Sequence, residues 1–293
     1  WRGIAAITAV HLISLVFCAL AWRVLMTVSK PPHVDMLFLW ARWVRDSIGN
    51  VLAIVPGAGE VAGARELSLH SVRLGVAAGT TVVDMTTEML SQLLYTLIGL
   101  ALLFAYHPDE KSAWWAAAGL AVATVAVVGF LIAQRNGLIR FLETLPARLG
   151  LTQTWEGLPA AESVHTAIQS IYQHTGRVVA SVGLHLLAWI AGAAETWIAL
   201  WFMGHPLSVV DVISLESLVF ALRTAAFVVP WAAGVQEGGY IVIGALFGLG
   251  PDVALALSLL KRARELTVGV PGLVAWQWAE GKRLLQRRLV KSQ

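Results

Sequence analysis

The chain has 293 residues, 57% of them hydrophobic and 13% charged, with 13 tryptophans and a mean hydropathy of +0.71. An average soluble domain is roughly 25% charged, so this composition excludes an ordinary water-soluble enzyme or binding module and indicates an integral membrane protein. Cys18 is the single cysteine and lies within an apolar run. That leaves no disulfide framework and no Cys-based metal site, and Cys18 is expected simply to pack.

In chain order, full spans are predicted at about 4–28, 72–105, 113–133, 178–203 and 252–278, each supplying the roughly 20 apolar residues that cross a bilayer as a helix. No strand-like alternation is sustained, so the spanning structure is helical. The first run is too long and too poorly flanked for a cleavable signal, and a chain opening on Trp1 is expected to have lost an N-terminal piece. Two stretches, 36–70 and 208–250, are apolar but interrupted, the first by Pro56, Gly57 and Gly59, the second by Pro230, Gly234, Gly238 and Gly239. Each half is short for a span. A Pro/Gly break frees backbone groups that hydrocarbon cannot satisfy, so the break must lie against protein or a wet cavity. Both stretches read as re-entrant helical hairpins.

Cytoplasmic loops should hold the Lys and Arg. The tail has Lys282, Arg283, Arg287, Arg288 and Lys291, and the segment 134–177 has Arg135, Arg140, Arg148 and Arg177, so both are expected inside. The connections near 106–112 and 204–211 are poor in Lys and Arg and should face outside, whereas the connection with Lys30, Arg42 and Arg45 falls inside. Every connection alternates only if the first hairpin enters from the cytoplasm and the second from the opposite side. The expected architecture is one all-α transmembrane domain, 1–293. Its inverted-topology halves, about 30–133 and 178–280, are linked by a cytoplasmic amphipathic segment, 134–177, that includes GLIRFLETLPARLG.

The halves also correspond locally. Pro56 of AIVPGAGEVAGARE precedes an apolar run and then VVDMTTEML, with Asp84 and Glu88 one turn apart; Pro230 of FVVPWAAGVQEGG precedes an apolar run and then LLKRARELT, with Arg262, Arg264 and Glu265. Paired Pro/Gly-interrupted segments in two inverted halves are the sequence pointer to a transporter site near the midplane.

PGAGEVAGAR (Pro56 to Arg65) resembles the Pro-x-x-Gly-Glu-x-x-x-x-Arg type element, and PWAAGVQEGG (Pro230 to Gly239) the Pro-x-x-Gly-Gly-x-x-Glu type element, of one membrane family. That family is the flippase-like membrane domain of bacterial lysylphosphatidylglycerol synthases and its stand-alone relatives. Ala233 stands where the family usually has the first glycine, and Arg65 is spaced slightly further from Glu60 than in many members. LRTAAFVVPWAAGVQEGGY and SLLKRARELTVGVPGLVAWQ are most similar to the hopanoid-biosynthesis-associated branch. The resemblance implies lipid translocation between leaflets of a bacterial inner membrane, with the C-terminus cytoplasmic. The partners it implies are membrane lipids, hopanoid or anionic or aminoacylated phospholipid, and hopanoid-biosynthesis proteins. The soluble aminoacyl-transferase domain of the two-domain enzymes has no counterpart after residue 293, so aminoacylation is not expected.

Intramembrane Glu60, Asp84, Glu88, Glu195, Glu216, Glu237, Arg223, Arg262, Arg264 and Glu265 would each cost on the order of 3 kcal/mol facing lipid, so they should face inward and pair. Arg223, Arg262 and Arg264 are candidates for a phosphate or other anion, since guanidinium offers forked donors. Helix N-termini at the Pro56, Gly59, Pro230 and Gly234 breaks would add free N–H groups. Glu60 and Glu237 sit at equivalent places beside the breaks and form the leading pair for gating or headgroup contact. Glu60–Arg65 and Glu265–Arg262 could equally be structural pairs. Asp84 and Glu88 could form a metal or proton site, but separate pairing with arginines of the other half is the simpler reading. His11, His70 and His185 lack ligand spacing and are expected to pack or hydrogen-bond. Trp40, Trp43, Trp114, Trp115, Trp276 and Trp278 read as interfacial anchors. The short basic tail reads as a topology signal, not a nucleic-acid site. HExxH, GxSxG and Gly-rich phosphate motifs are absent from the sequence, and nothing indicates ATP or another cofactor. A lipid flippase explains the twin breaks and buried charges together; a membrane enzyme or a scaffold for hopanoid enzymes remains the alternative.

Overall fold

A computed structural model of the chain describes residues 2–27, 33–52, 57–70, 72–107, 121, 124, 158–226 and 232–291. The regular elements among them are all helical: α1 Arg2–Val24, α2 Val34–Ser47, a π turn Ile48–Leu52, α3 Ala58–Leu69, α4 Leu74–Tyr106, α5 Leu158–Tyr172, α6 Thr175–Phe202, α7 Val209–Ala225, α8 Val235–Gly244, a 3-10 turn Ala245–Phe247 and α9 Pro251–Lys291.

Three helices, α1, α4 and α6, are long and apolar enough to cross a bilayer, and no more than 33% of each apolar window is buried within the protein. The rest presents Leu12, Ile13, Leu97, Ile98, Leu187 and Ile190 outward, an apolar belt that water would not tolerate and lipid does. The chain is a multi-pass membrane protein. These helices match the spans expected at 4–28, 72–105 and 178–203. The span expected at 113–133 lies outside the described residues apart from single positions. The one expected at 252–278 is the first two-thirds of α9, whose Lys261, Arg262, Arg264 and Glu265 keep it from meeting the same apolar standard.

The interrupted stretches form two helix pairs. α2 packs on α3, and α7 on α8, each helix being too short to span alone. Pro56 and Pro230 lie outside the described residues, but the residues that restart each second helix are described. Gly57 caps α3 at φ +83° and Gly234 caps α8 at φ +78°, left-handed geometry that a side chain would strain. Contact in the first pair is close: a Cβ at Gly59 would come within 2.5 Å of the Arg45 carbonyl oxygen, and one at Gly63 within 3.2 Å of the Arg45 Cβ. That proximity of backbones leaves no route outward for Arg42 and Arg45, which are buried. Counting them with Lys30 as a cytoplasmic connection was therefore incorrect for these two arginines.

α4 is central, touching α3, α5, α6 and α7, while α9 packs against α8, α2 and the π turn. Ile7, Tyr95, Leu200, Leu215, Val219 and Leu257 build one apolar core, and Trp22, Phe38, Ala41, Leu67 and Ala77 another. The described part of 134–177 is α5, which lies along the start of α4 with Ile168 and Ile171 buried; GLIRFLETLPARLG is outside the described residues.

Candidate functional site

Two clusters of charge lie inside this apolar frame. In the first, α2 presents Arg42 and Arg45 toward α4. Arg42 forks onto Glu88 through Nη1 at 3.2 Å and Nη2 at 2.8 Å, while its Nε donates to Asp46 at 3.0 Å. Arg45 donates from Nη1 to Asp84 at 2.5 Å and from Nη2 to Glu88 at 3.0 Å, and its Nε lies 3.5 Å from Glu60 on α3. His185 of α6 completes the group, with Nε2 at 3.0 Å from Asp84. Asp84 is fully buried. Forked guanidinium–carboxylate bonds are the geometry in which a buried charge is tolerable, because donors and lone pairs are used in parallel.

The second cluster joins α6, α7, α8 and α9. Glu216, fully buried, accepts from Lys261 Nζ at 2.6 Å, from the Tyr240 hydroxyl at 2.6 Å and from Thr196 at 2.7 Å. Arg264 donates to Glu195 at 3.0 Å, and His11 Nδ1 lies 3.6 Å from the same carboxylate. Nearer the second break, Arg262 Nε donates to Glu237 at 2.8 Å, and Arg223 lies 3.6 Å from Glu265. Glu237 also accepts the backbone N–H of Gly234 at 2.8 Å, closing the first turn of α8.

The sequence-level pairings need correction in three places. Glu60 pairs with Arg45, not Arg65; Arg65 is half-exposed and forks onto Glu280 at 2.8 and 2.9 Å. Arg262 is 4.0 Å from Glu265 but 2.8 Å from Glu237, so Glu237 is its main partner. Asp84 and Glu88 pair with Arg42 and Arg45 of their own half, not with the other half. Glu60, Asp84 and Glu88 thus come together in one cluster, and Arg223, Glu237, Arg262, Arg264 and Glu265 around the other; Arg65 joins neither. Gly59 and Gly234 lie in the described restarts of α3 and α8.

Sequence reasoning passed over Arg42, Arg45, Asp46, His185 and Lys261 as site residues. It also missed Glu66, which is fully buried and accepts from Trp40 at 3.0 Å, Trp276 at 3.2 Å and Arg283 at 3.0 and 3.1 Å. Two tryptophans expected as interfacial anchors are therefore donors to a buried carboxylate, and Trp43 donates to the Val268 carbonyl at 3.0 Å. Outside the spans, Arg65 and Arg283 hydrogen-bond Glu280 and hold its carboxyl down at about 2.

Cys18 does more than sit in an apolar run. Its sulfur and one ligand atom each of Glu88 and His185 lie within 4.8 Å of one another. Glu88 is already forked by two guanidiniums and His185 is held by Asp84, so an added cation there would face Arg42 and Arg45 at close range.

The clusters meet at a seam. A cavity of about 10 Å³ is lined by His11 and Leu15 of α1, Trp43, Asp46 and Ser47 of α2, Asn50 of the π turn, and Glu265, Val268 and Gly269 of α9. It lies where the first helix pair touches the helix that follows the second.

The chain matches the family described as "Lysylphosphatidylglycerol synthase TM region" over residues 1–272. No curated protein and no solved structure matches it.

Proposed function

Because the chain belongs to the lysylphosphatidylglycerol synthase TM-region family, a membrane family with a lipid-related role, we propose that it moves a polar-headed lipid between leaflets. On this reading the two helix pairs are re-entrant hairpins of opposite orientation, and the clusters they bring to the bundle interior form the polar passage. The observation that carries the proposal is the position of the seam. Asp46 of α2 and Glu265 of α9 line a small cavity where the first helix pair meets the helix that follows the second, while the outer faces of α1, α4 and α6 stay apolar. At about 10 Å³ the cavity is closed to a headgroup, so on this reading the helices part along the seam during transport while the lipid tails remain in the bilayer.

Glu60 and Glu237 support the reading of two related halves, since each is the third residue of a helix restarted by a left-handed glycine. The register that carries Glu60 to Glu237 also carries Asp84 to Lys261 and Glu88 to Glu265. Arg262 supplies a further donor: its Nη2 is buried with no hydrogen-bond partner among the described residues, a place for a headgroup anion. The reading treats the protein as a translocator of the inner membrane, driven by the lipid gradient or by an ion, and leaves hopanoid and phospholipid as the substrate classes.

The test is leaflet exchange of headgroup-labelled lipids in liposomes reconstituted with the full chain, comparing wild type with Glu237→Gln and Arg262→Ala. Exchange in the wild type, with at least a severalfold loss in both variants, is expected. Absence of exchange for every lipid in folded, inserted protein would overturn the proposal.

A further inference from the structure

α9 is one continuous helix, yet its two ends belong to different bodies. The first arm, Pro251 to Glu265, packs Val253 and Leu257 into the core that holds Leu215 of α7 and Tyr240 of α8. Its charges go to the same side: Lys261 to Glu216, Arg262 to Glu237, Arg264 to Glu195 of α6, and Glu265 to Arg223. The second arm, from Leu273 onward, packs Leu273 and Trp276 against Val44 of α2 and Ala62 of α3. Its polar partners lie in the first helix pair: Trp276 and Arg283 donate to Glu66, and Glu280 accepts from Arg65.

The change of side falls on Val268-Gly269-Val270-Pro271-Gly272. Pro271 stands inside the helix; it has no N–H to give the Thr267 carbonyl, and its ring crowds the preceding turn. One residue further on, the Val268 carbonyl takes a hydrogen bond from Trp43 of α2 at 3.0 Å. Both glycines rest on the end of the first arm of the pair. A Cβ on Gly269 would lie 2.5 Å from Val51 Cγ2, and one on Gly272 would overlap the Ser47 hydroxyl. The surface they rest on is itself irregular, because Ile48–Leu52 is a π turn. Proline and π turns are the usual places for a helix to bend, and here the two face each other at one level of the seam. The small cavity lies beside them, lined by Trp43, Asn50, Val268 and Gly269 among others. In a close-packed interior a void at that point gives side chains room to shift.

We infer that Pro271 and the facing π turn form a hinge. About it, the body made of the first helix pair and the second arm of α9 turns against the body made of α6, α7, α8 and the first arm. The pairs that anchor each arm lie on one side of the joint, so bending at Pro271 leaves them intact. Resistance comes from α4, which Arg42 and Arg45 grip from α2. Arg45 has Glu60, Asp84 and Glu88 all within reach, so that grip can slip from one carboxylate to another. The hinge rests on the translocation reading only for its use, namely the parting of the seam; the bending itself is measured without any transport.

The experiment places spin labels at Val61→Cys on α3 and Val242→Cys on α8, both highly exposed, in a Cys18→Ala form of the full chain in lipid nanodiscs. Pulsed electron resonance then reads the distance between the two bodies. The otherwise unchanged protein should give two distances, and Pro271→Ala should collapse them to one. Pro271→Ala should melt no earlier, because alanine restores the missing N–H and has the higher helix propensity; loss of the second distance is then loss of motion and not damage. Where the starting protein exchanges lipid between leaflets, Pro271→Ala should slow that exchange severalfold. A single narrow distance before the proline is replaced, or two distances that survive Pro271→Ala, would overturn the hinge. Collapse to one distance in a protein that exchanges no lipid would keep the hinge and sink the translocation reading. Should Pro271→Ala fail to fold, Gly269→Ala decides in its place, since its methyl group wedges against Val51 and should jam the same joint.

Discussion

The two helix pairs use one backbone device and fill it with opposite charge. α3 and α8 each restart at a left-handed glycine and place a glutamate third. Around α2 the arginines sit on the first arm of the pair and the carboxylates on the span that follows; around α7 the carboxylate, Glu216, sits on the first arm and the cation, Lys261, on the helix that follows. The difference lies in redundancy. Arg45 reaches three carboxylates, Asp84, Glu88 and Glu60, whereas Lys261 has Glu216 alone within 4.0 Å among the described residues. The first cluster is a mesh that can exchange partners, and the second is a set of more separate pairs, of which Glu216 with Lys261 is the most deeply buried. A mesh with surplus carboxylates can loosen by steps; an isolated pair such as Glu216 with Lys261 can only hold or break.

That contrast predicts its largest effect at Glu216. Glu216→Ala leaves Lys261, 3% exposed, without a counter-charge and should destabilise the protein by about 3 to 5 kcal/mol, read by thermal or denaturant unfolding in detergent. The double change Glu216→Leu with Lys261→Met should recover most of that loss, because a well-packed apolar pair replaces a buried ionic one at little cost. Failure of the double variant to recover would assign Glu216 a role beyond neutralising Lys261, through Tyr240 and Thr196.

Asp84→Asn should cost less, about 1.5 to 3 kcal/mol, the worth of hydrogen bonds to a charged group, because Arg45 keeps Glu88 and Glu60. The same measurement checks it. A loss as large as that of Glu216→Ala would mean that the mesh is no more redundant than the single pair.

The equivalence of Glu60 and Glu237 is sharpened by splitting stability from transport. Glu237→Gln removes a charged acceptor of the Gly234 N–H and the partner of Arg262, so unfolding should show a loss of about 1 kcal/mol. Glu60→Gln gives up an ion pair at 3.5 Å and should cost about half as much or less. Leaflet exchange should nevertheless fall comparably in both. If exchange falls only in Glu237→Gln, the two positions are alike in backbone and not in use.

Much of this was legible in the sequence, and the rest was hidden for physical reasons. Hydropathy windows located α1, α4 and α6, and the Pro/Gly punctuation located both helix pairs, because each rests on local chemistry. Partner choice is not local. Arg65 is five residues from Glu60 yet bonds Glu280, 215 positions away, and His185 meets Asp84 across 101. Arg42 and Arg45 were counted as loop charge because a window sees charge density and not the approach of α3 that buries them.

The smallest expected effect lies at the far end of the first pair, where α9 clasps α3. Arg65 and Arg283 both donate to Glu280, at 2.8 to 2.9 Å and 2.7 Å, and Arg65 first, then Arg283, depress its carboxyl to about 2. A depressed carboxyl stabilises the fold fully above its ordinary range near 4.5, and that contribution is lost as pH falls through the interval down to about 2. Glu280 is only part-buried and its partner Arg65 is half-exposed, so the loss should be small beside that of the buried clusters. Its signature is nevertheless specific: in wild type, protease cleavage after Arg283 should become faster between about pH 4.5 and 2, whereas Glu280→Gln should already be fast at neutral pH and change little across that interval. Buried Glu66 holds Arg283 from the other side, so the clasp should loosen and not release. Full release of the tail in Glu280→Gln at neutral pH would show instead that this exposed fork, and not Glu66, anchors α9 to the first helix pair.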